Sequence, residues 1–198
     1  MALRQRRILI IQGHPDPAGG HFGHALAEAY RRGASAGGHQ IDDVRLAGLD
    51  FPLLASEKDW TGGALPSVLR PVQEKITRAD HLVIIFPLWL GTAPARVKGF
   101  LEQILRPGFA FAADARSGIG QRLLKGKSAR VIITMGMPGM VYRCYFGAHG
   151  YRNLKRNILH FCGIRPVRAC FVGRVASAAA GHHRKWLRRA EALGRRGH

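Results

Sequence analysis

Four short stretches hold the residue types that could do chemistry. Gly13-His-Pro-Asp-Pro-Ala-Gly-Gly20 follows an apolar run and precedes Phe22. A strand, loop and helix start in this order suits a phosphate, held by the free N–H groups of the helix start. The stretch has neither the GxGxxG nor the GxxxxGK[ST] spacing, so it serves some other phosphate or none. Pro87-Leu-Trp-Leu90 ends a second apolar run and is followed by Pro94. An aromatic loop braced by proline suits a flat ring better than a sugar, although a core tryptophan in a hydrophobic turn has the same pattern. Thr134-Met-Gly-Met-Pro138 closes a third run, and Tyr142 and His149 bring groups that can carry protons. The histidines form no cluster with metal-ligand spacing, and His182-His183 falls in a basic terminal segment away from carboxylates and thiols.

Positioning these groups requires a layered α/β chain. Arg7–Gln12, Leu82–Phe86, Ser128–Thr134 and Ile164–Val172 are short apolar runs rich in β-branched residues, the pattern of parallel strands buried on both faces. Gln40–Leu46 alternates and reads as a more exposed strand. Between them, apolar residues recur at helical spacing. They run from Phe22 to Gly33, over Ser67–Ala79, after Pro94 (Val97, Phe100, Leu101, Ile104), and in Tyr142–Cys162, where Leu154, Ile158, Leu159 and Phe161 should face inward. A basic helix over Ala176–Leu193 ends the series. The alternation predicts one domain over residues 1–198, a doubly wound five-stranded parallel sheet of order 2-1-3-4-5 in three α/β/α layers. All the reactive stretches then fall at the carboxyl ends of strands, where such sheets bind ligands. The long connections Ala47–Gly63 and Arg106–Lys127 read as functional or partner-contacting loops.

A length of 198 residues with 46% hydrophobic content suffices for one real core. No apolar run approaches the roughly 20 residues that span a bilayer. The basic start is followed by too short an apolar run for a signal peptide, and the three scattered cysteines, Cys144, Cys162 and Cys170, fit free thiols. A cytoplasmic protein without metal is the expectation. The net charge of +19 is spread over most segments and matches no nucleic-acid motif. It reads as a solvated arginine-rich surface that also attracts an anionic cofactor, with peripheral membrane contact left open and no specific nucleic acid.

Three motifs carry a family resemblance. They are His14-Pro-Asp-Pro with Phe22, then Phe86-Pro-Leu-Trp with Pro94-Ala and Lys98-Gly-Phe, and finally Asn157-Ile-Leu-His-Phe-Cys-Gly163 after Tyr142 and His149. In this order they resemble the flavodoxin-like NAD(P)H:quinone oxidoreductases of the DT-diaphorase and modulator-of-drug-activity group. The resemblance implies a noncovalent flavin (FMN or FAD), NAD(P)H as hydride donor, a quinone-like acceptor, and a homodimer with the site at the subunit contact. By the same resemblance, His14, His21, Phe22 and Gly23 hold the flavin phosphate. Pro87, Leu88, Trp89 and Leu90 line the ring, and Thr134, Met135, Gly136 and Met137 meet its polar edge. Tyr142 and His149 support the reduced flavin. Relatives read Thr-Thr-Gly-Gly where this chain has Thr134-Met-Gly-Met, which changes one hydrogen-bonding pattern. A dimer would cover the apolar side chains of Trp89, Phe109 and Phe111. An alternative from a different class is a flavin-binding ancillary subunit of a membrane potassium-efflux transporter, which shares this fold.

Overall fold

The computed structural model of the chain describes residues 4–112, 121–177 and 180–197. Five strands form the main sheet: β1 (Arg7–Gln12), β2 (Gln40–Arg45), β3 (His81–Pro87), β6 (Ser128–Thr134) and β7 (Val167–Val172). They are parallel and lie in the order β2-β1-β3-β6-β7, which is the expected 2-1-3-4-5. Two further strands among the described residues, β4 (Phe111–Ala112) and β5 (Gln121–Arg122), pair as a small antiparallel ribbon inside the connection between β3 and β6. Part of that connection lies outside the described residues.

Burial explains the strand composition. Every residue of β3 from His81 to Phe86 is buried, as a central strand covered on both faces must be. Pro87 belongs to the strand, paired in register with Thr134, and the ladder continues through Leu88 N–H to Thr134 O at 2.7 Å. Edge strand β2 buries only Val44.

Helices α1 (Phe22–Ala36) and α8 (Ala180–Arg196) cover one face of the sheet. The other carries α3 (Arg70–Arg78), α4 (Ala95–Ile104) and a continuous helical stretch made of α6 (His149–Asn153), a π turn over Leu154–Leu159 and α7 (His160–Cys162). Helix α1 does not stop at Gly33 as its spacing suggested. Gly33 lies inside it because α8 presses there: a Cβ would run into the carbonyl of Glu191. The His182-His183 segment also differs from expectation. His182 and His183 are half-buried and hydrogen-bond the carbonyls of Gly173 (3.0 Å) and Val175 (2.9 Å), so they pin α8 to the end of β7.

Two further expectations change. The connection after β2 contains a short helix, α2 (Glu57–Thr61), capped by the Ser56 hydroxyl accepting from Asp59 N–H. Phe161 does not enter the core; it is half-exposed and packs edge-on to Phe111, with ring centroids 4.8 Å apart.

Candidate functional site

The loop after β1 is built around a histidine pair. His14 is buried at the base of the loop, and its ring stacks on His21 with centroids 3.7 Å apart and planes 14° from parallel. His14 Nδ1 accepts the Asp16 N–H at 3.2 Å. A neutral His14 therefore carries its proton on Nε2, as a donor. Burial first, then the neighbouring His21 and His24, hold its pKa below 6.5, so neutral is its state near pH 7. His21 Nε2 lies 2.6 Å from Asp16 Oδ2, and this bond leads the causes that lower the Asp16 pKa. The His21 side chain is thus engaged within the loop; what it leaves to a ligand is backbone.

The backbone offered is the start of α1. His21 makes no side-chain cap, and the first turn has no acidic residue. Phe22 turns its ring toward His183, with centroids 4.5 Å apart, so its contribution to a ligand is the N–H. Gly23 is buried, yet a Cβ there would make only ordinary contacts, 3.6 Å to Gln12 Nε2 and 3.8 Å to Ile85 Cγ2. No steric rule requires this glycine. Beneath it, Gln12 Nε2 is buried and has no hydrogen-bond partner among the described residues. An uncapped helix start with a neutral imidazole donor and an orphaned amide donor fits a phosphate ester.

The loop after β3 is a tight turn. Trp89 and Thr92 exchange two backbone hydrogen bonds of 3.0 Å, with Leu90 (φ 45°) and Gly91 (φ 79°) between them, the geometry of a two-residue hairpin. Leucine in that conformation is strained, and strain of this kind collects at functional sites. Trp89 is 49% exposed and Leu90 fully exposed. The Trp89 ring stands edge-on to His14, with centroids 6.3 Å apart, so this turn and the first loop share one end of the sheet. Pro87 and Leu88 are half-buried at the turn's base.

Tyr142 lies on α5 (Gly139–Cys144). Its ring is buried, and its hydroxyl donates to Gly91 O at 3.3 Å and accepts from Tyr151 N–H at 3.2 Å. Both functions of the hydroxyl are engaged in holding the turn, so Tyr142 positions the loop. Gly150 does the same by close approach. A Cβ there would meet Gly91 O and lie 2.8 Å from Thr92 Cα. His149, one residue earlier, is exposed beside this contact.

The loop after β6 is partly closed to a ligand. Met135 is buried, its N–H donates to Val172 O (2.9 Å), and its carbonyl accepts from Val175 (3.2 Å). The Met137 carbonyl accepts from Arg174 at 3.2 Å, and the Thr134 carbonyl is taken by Leu88. Among the described residues nothing accepts from the Gly136 or Met137 N–H, and those are the donors this loop can offer.

The apolar surface beside the site is not the expected one. Phe111 is buried and Phe109 packs against the core, so both fold back over their own sheet. Met140, Tyr145 and Phe146, on and just after α5, are exposed, as are Trp89 and Leu90. Sequence reasoning missed them because α5 is too short for a periodicity to show which face is free. Cavities of about 570 Å³ and 650 Å³ lie elsewhere, the first between α2 and α4 and the second between α5, β7 and α8. No group of metal ligands occurs among the described residues.

An anion cradle and an exposed aromatic platform, together at the carboxyl end of a doubly wound sheet, define a protein that binds a ring-bearing phosphate ester. The chain belongs to the flavodoxin-like fold family, whose profile matches residues 6–193. It is 30% identical over 164 residues to an uncharacterized NAD(P)H oxidoreductase of Haemophilus influenzae, covering 80% of this chain and 79% of that one. It is 28% identical over 185 residues to a ribosyldihydronicotinamide dehydrogenase [quinone] of Pongo abelii, covering 81% and 78%. Among solved structures, an NAD(P)H:quinone oxidoreductase from Methanothermobacter marburgensis superposes with a TM-score of 0.80 at 23% identity, covering 97% of this chain and 96% of that one.

Proposed function

We propose that this protein is a flavin-dependent NAD(P)H oxidoreductase that passes two electrons from NAD(P)H to a quinone-like acceptor. The observation that carries this reading is the meeting of the His14 cradle and the Trp89 turn at one end of the sheet, with ring centroids 6.3 Å apart. The relatives' names, an NAD(P)H oxidoreductase and a quinone dehydrogenase, agree with it. A flavin, when bound, would supply the two-electron redox chemistry that links nicotinamide to the acceptor.

The chain's residues bind and orient. The His14 Nε2–H and the N–H groups of Phe22 and Gly23 hold the phosphate. Trp89 and Leu90, with Pro87 and Leu88 behind them, lie along the ring and exclude water. The Gly136 and Met137 N–H groups face its polar edge, and His149 exchanges a proton there. Tyr142 and Gly150 keep the turn in place.

A second copy of the chain completes the site. The exposed side chains of Trp89, Leu90, Tyr145 and Phe146 are the apolar surface it covers. Free thiols at Cys144, Cys162 and Cys170 suit a reducing, cytoplasmic setting. No helix of the described residues is long and apolar enough to cross a membrane.

Titration of purified protein with FMN and with FAD tests the reading. One equivalent of one of them should bind per chain, with sedimentation showing a dimer. Rejection of both flavins would overturn the assignment, and a fully active monomer would remove the shared site.

A further inference from the structure

Gln12 is the last residue of β1, and its side chain lies under the first turn of α1. Its two amide atoms have different fates. Oε1 accepts the His14 N–H at 2.7 Å and so fixes the base of the loop. Nε2, on a side chain that is only 4% exposed, finds no acceptor among the described residues. A buried amide N–H left unpaired is costly, so the position demands an explanation.

The direction of the amide gives one. Oε1 is oriented by a backbone N–H, which can bond only to the oxygen, so the assignment of O and N is fixed by the network. Nε2 must then point the other way. It lies 3.6 Å from where a Gly23 Cβ would sit, at the second residue of a 15-residue helix that lacks a side-chain cap. The nearby imidazole, His14, is a neutral donor. Asp16, the carboxylate of the loop, is occupied by His21 and by the Ala18 N–H. Gln12 Nε2 and the neighbouring His24 Nδ1 are left without a partner among the described residues, while Asp16 is paired inside the loop. An acceptor oxygen held over the helix start would satisfy the Gln12 amide together with the free N–H groups there.

We infer that Gln12 is a direct ligand of the phosphate group: Nε2 donates to a phosphate-ester oxygen held over the start of α1. This rests on the flavin reading above and adds to it a residue that makes the protein select the phosphorylated flavin over riboflavin. Gln12 lies inside an apolar strand run, where the sequence offers no hint of a ligand role.

Two variants separate this role from a structural one. Gln12→Glu keeps an oxygen to accept the His14 N–H but replaces the donor by a second acceptor. Gln12→Met removes both bonds at similar volume. Dissociation constants for FMN and for riboflavin are measured by fluorescence titration at mildly alkaline pH, where the introduced carboxyl is ionised.

The expected result is FMN affinity at least tenfold weaker in both variants, with riboflavin affinity within twofold of the parent protein. Equal losses for FMN and riboflavin would overturn the inference, because Gln12 would then act only by shaping the loop. So would FMN binding that is weakened by Gln12→Met and unchanged by Gln12→Glu. Parent protein that binds none of FMN, FAD and riboflavin would instead defeat the flavin reading itself.

Discussion

Replacing Tyr142 by Phe separates two roles for this residue. The hydroxyl joins two backbone groups from different segments: it donates to Gly91 O at 3.3 Å and accepts from Tyr151 N–H at 3.2 Å. Both distances are longer than the usual values, and both partners are neutral, which puts each bond at the low end of the range. Losing the pair should therefore cost about 1–2 kcal/mol in total. For a domain near this length that is a fall in Tm of about 2–8 °C. The larger consequence is local. Gly91 follows Leu90, whose positive φ already strains the turn, so release of the carbonyl should let Trp89 and Leu90 leave their positions. Flavin affinity should drop several-fold, while the rate of flavin reduction in saturated protein changes little. Thermal unfolding with and without flavin, together with stopped-flow reduction by NADPH, checks both parts. An unchanged Tm and flavin affinity with a large loss in reduction rate would refute the positioning role and restore Tyr142 to the reacting centre.

Other outcomes follow from the same geometry. Gly150→Ala forces a methyl group against Gly91 O and Thr92 Cα, so it should destabilise by about 1–3 kcal/mol and weaken flavin binding, as denaturant unfolding and flavin titration would show. Leu90→Asn places a residue that tolerates the left-handed region at an exposed, strained position; stability should rise by about 0.5–1 kcal/mol while dimerisation and turnover fall, checked by unfolding, sedimentation and steady-state assay. His14 and His24 have pKa values lowered from 6.5 by burial, so the unfolded chain binds more protons than the folded one in the window from 6.5 down to their native values. Stability without flavin should therefore fall as pH drops through that window, and His14→Gln should flatten part of the fall in a Tm-against-pH series.

The sheet was legible because buried parallel strands leave unbroken apolar runs, as in Leu82–Phe86 and Val131–Ile133. The loops after β1 and β3 were legible because proline and glycine mark them and His14 and Trp89 stand out from their surroundings. What escaped had physical causes. Nothing in the sequence distinguishes a histidine whose ring is free from one bound to a carbonyl, so His182 and His183 looked like tail residues. Gly33 looked like a helix end because its reason for being glycine, the approach of α8, lies far away in sequence. Tyr142 stood out in the sequence as a group that can carry a proton, but the partners of its hydroxyl, Gly91 O and Tyr151 N–H, cannot be seen in one dimension. Phe109 and Phe111 matched an exposed patch by composition, whereas packing against the core hides them.

The central claim is that a flavin held at the carboxyl end of the sheet relays two electrons from NAD(P)H to an acceptor. Anaerobic mixing of the flavin-loaded protein with one equivalent of NADPH or NADH, followed by one equivalent of a benzoquinone, tests it most directly. The account predicts that the oxidised-flavin absorbance disappears with the nicotinamide and returns in full with the quinone, in two separable steps. Flavin that stays oxidised with both nicotinamides, or is reduced and then not reoxidised by any quinone offered, would contradict it.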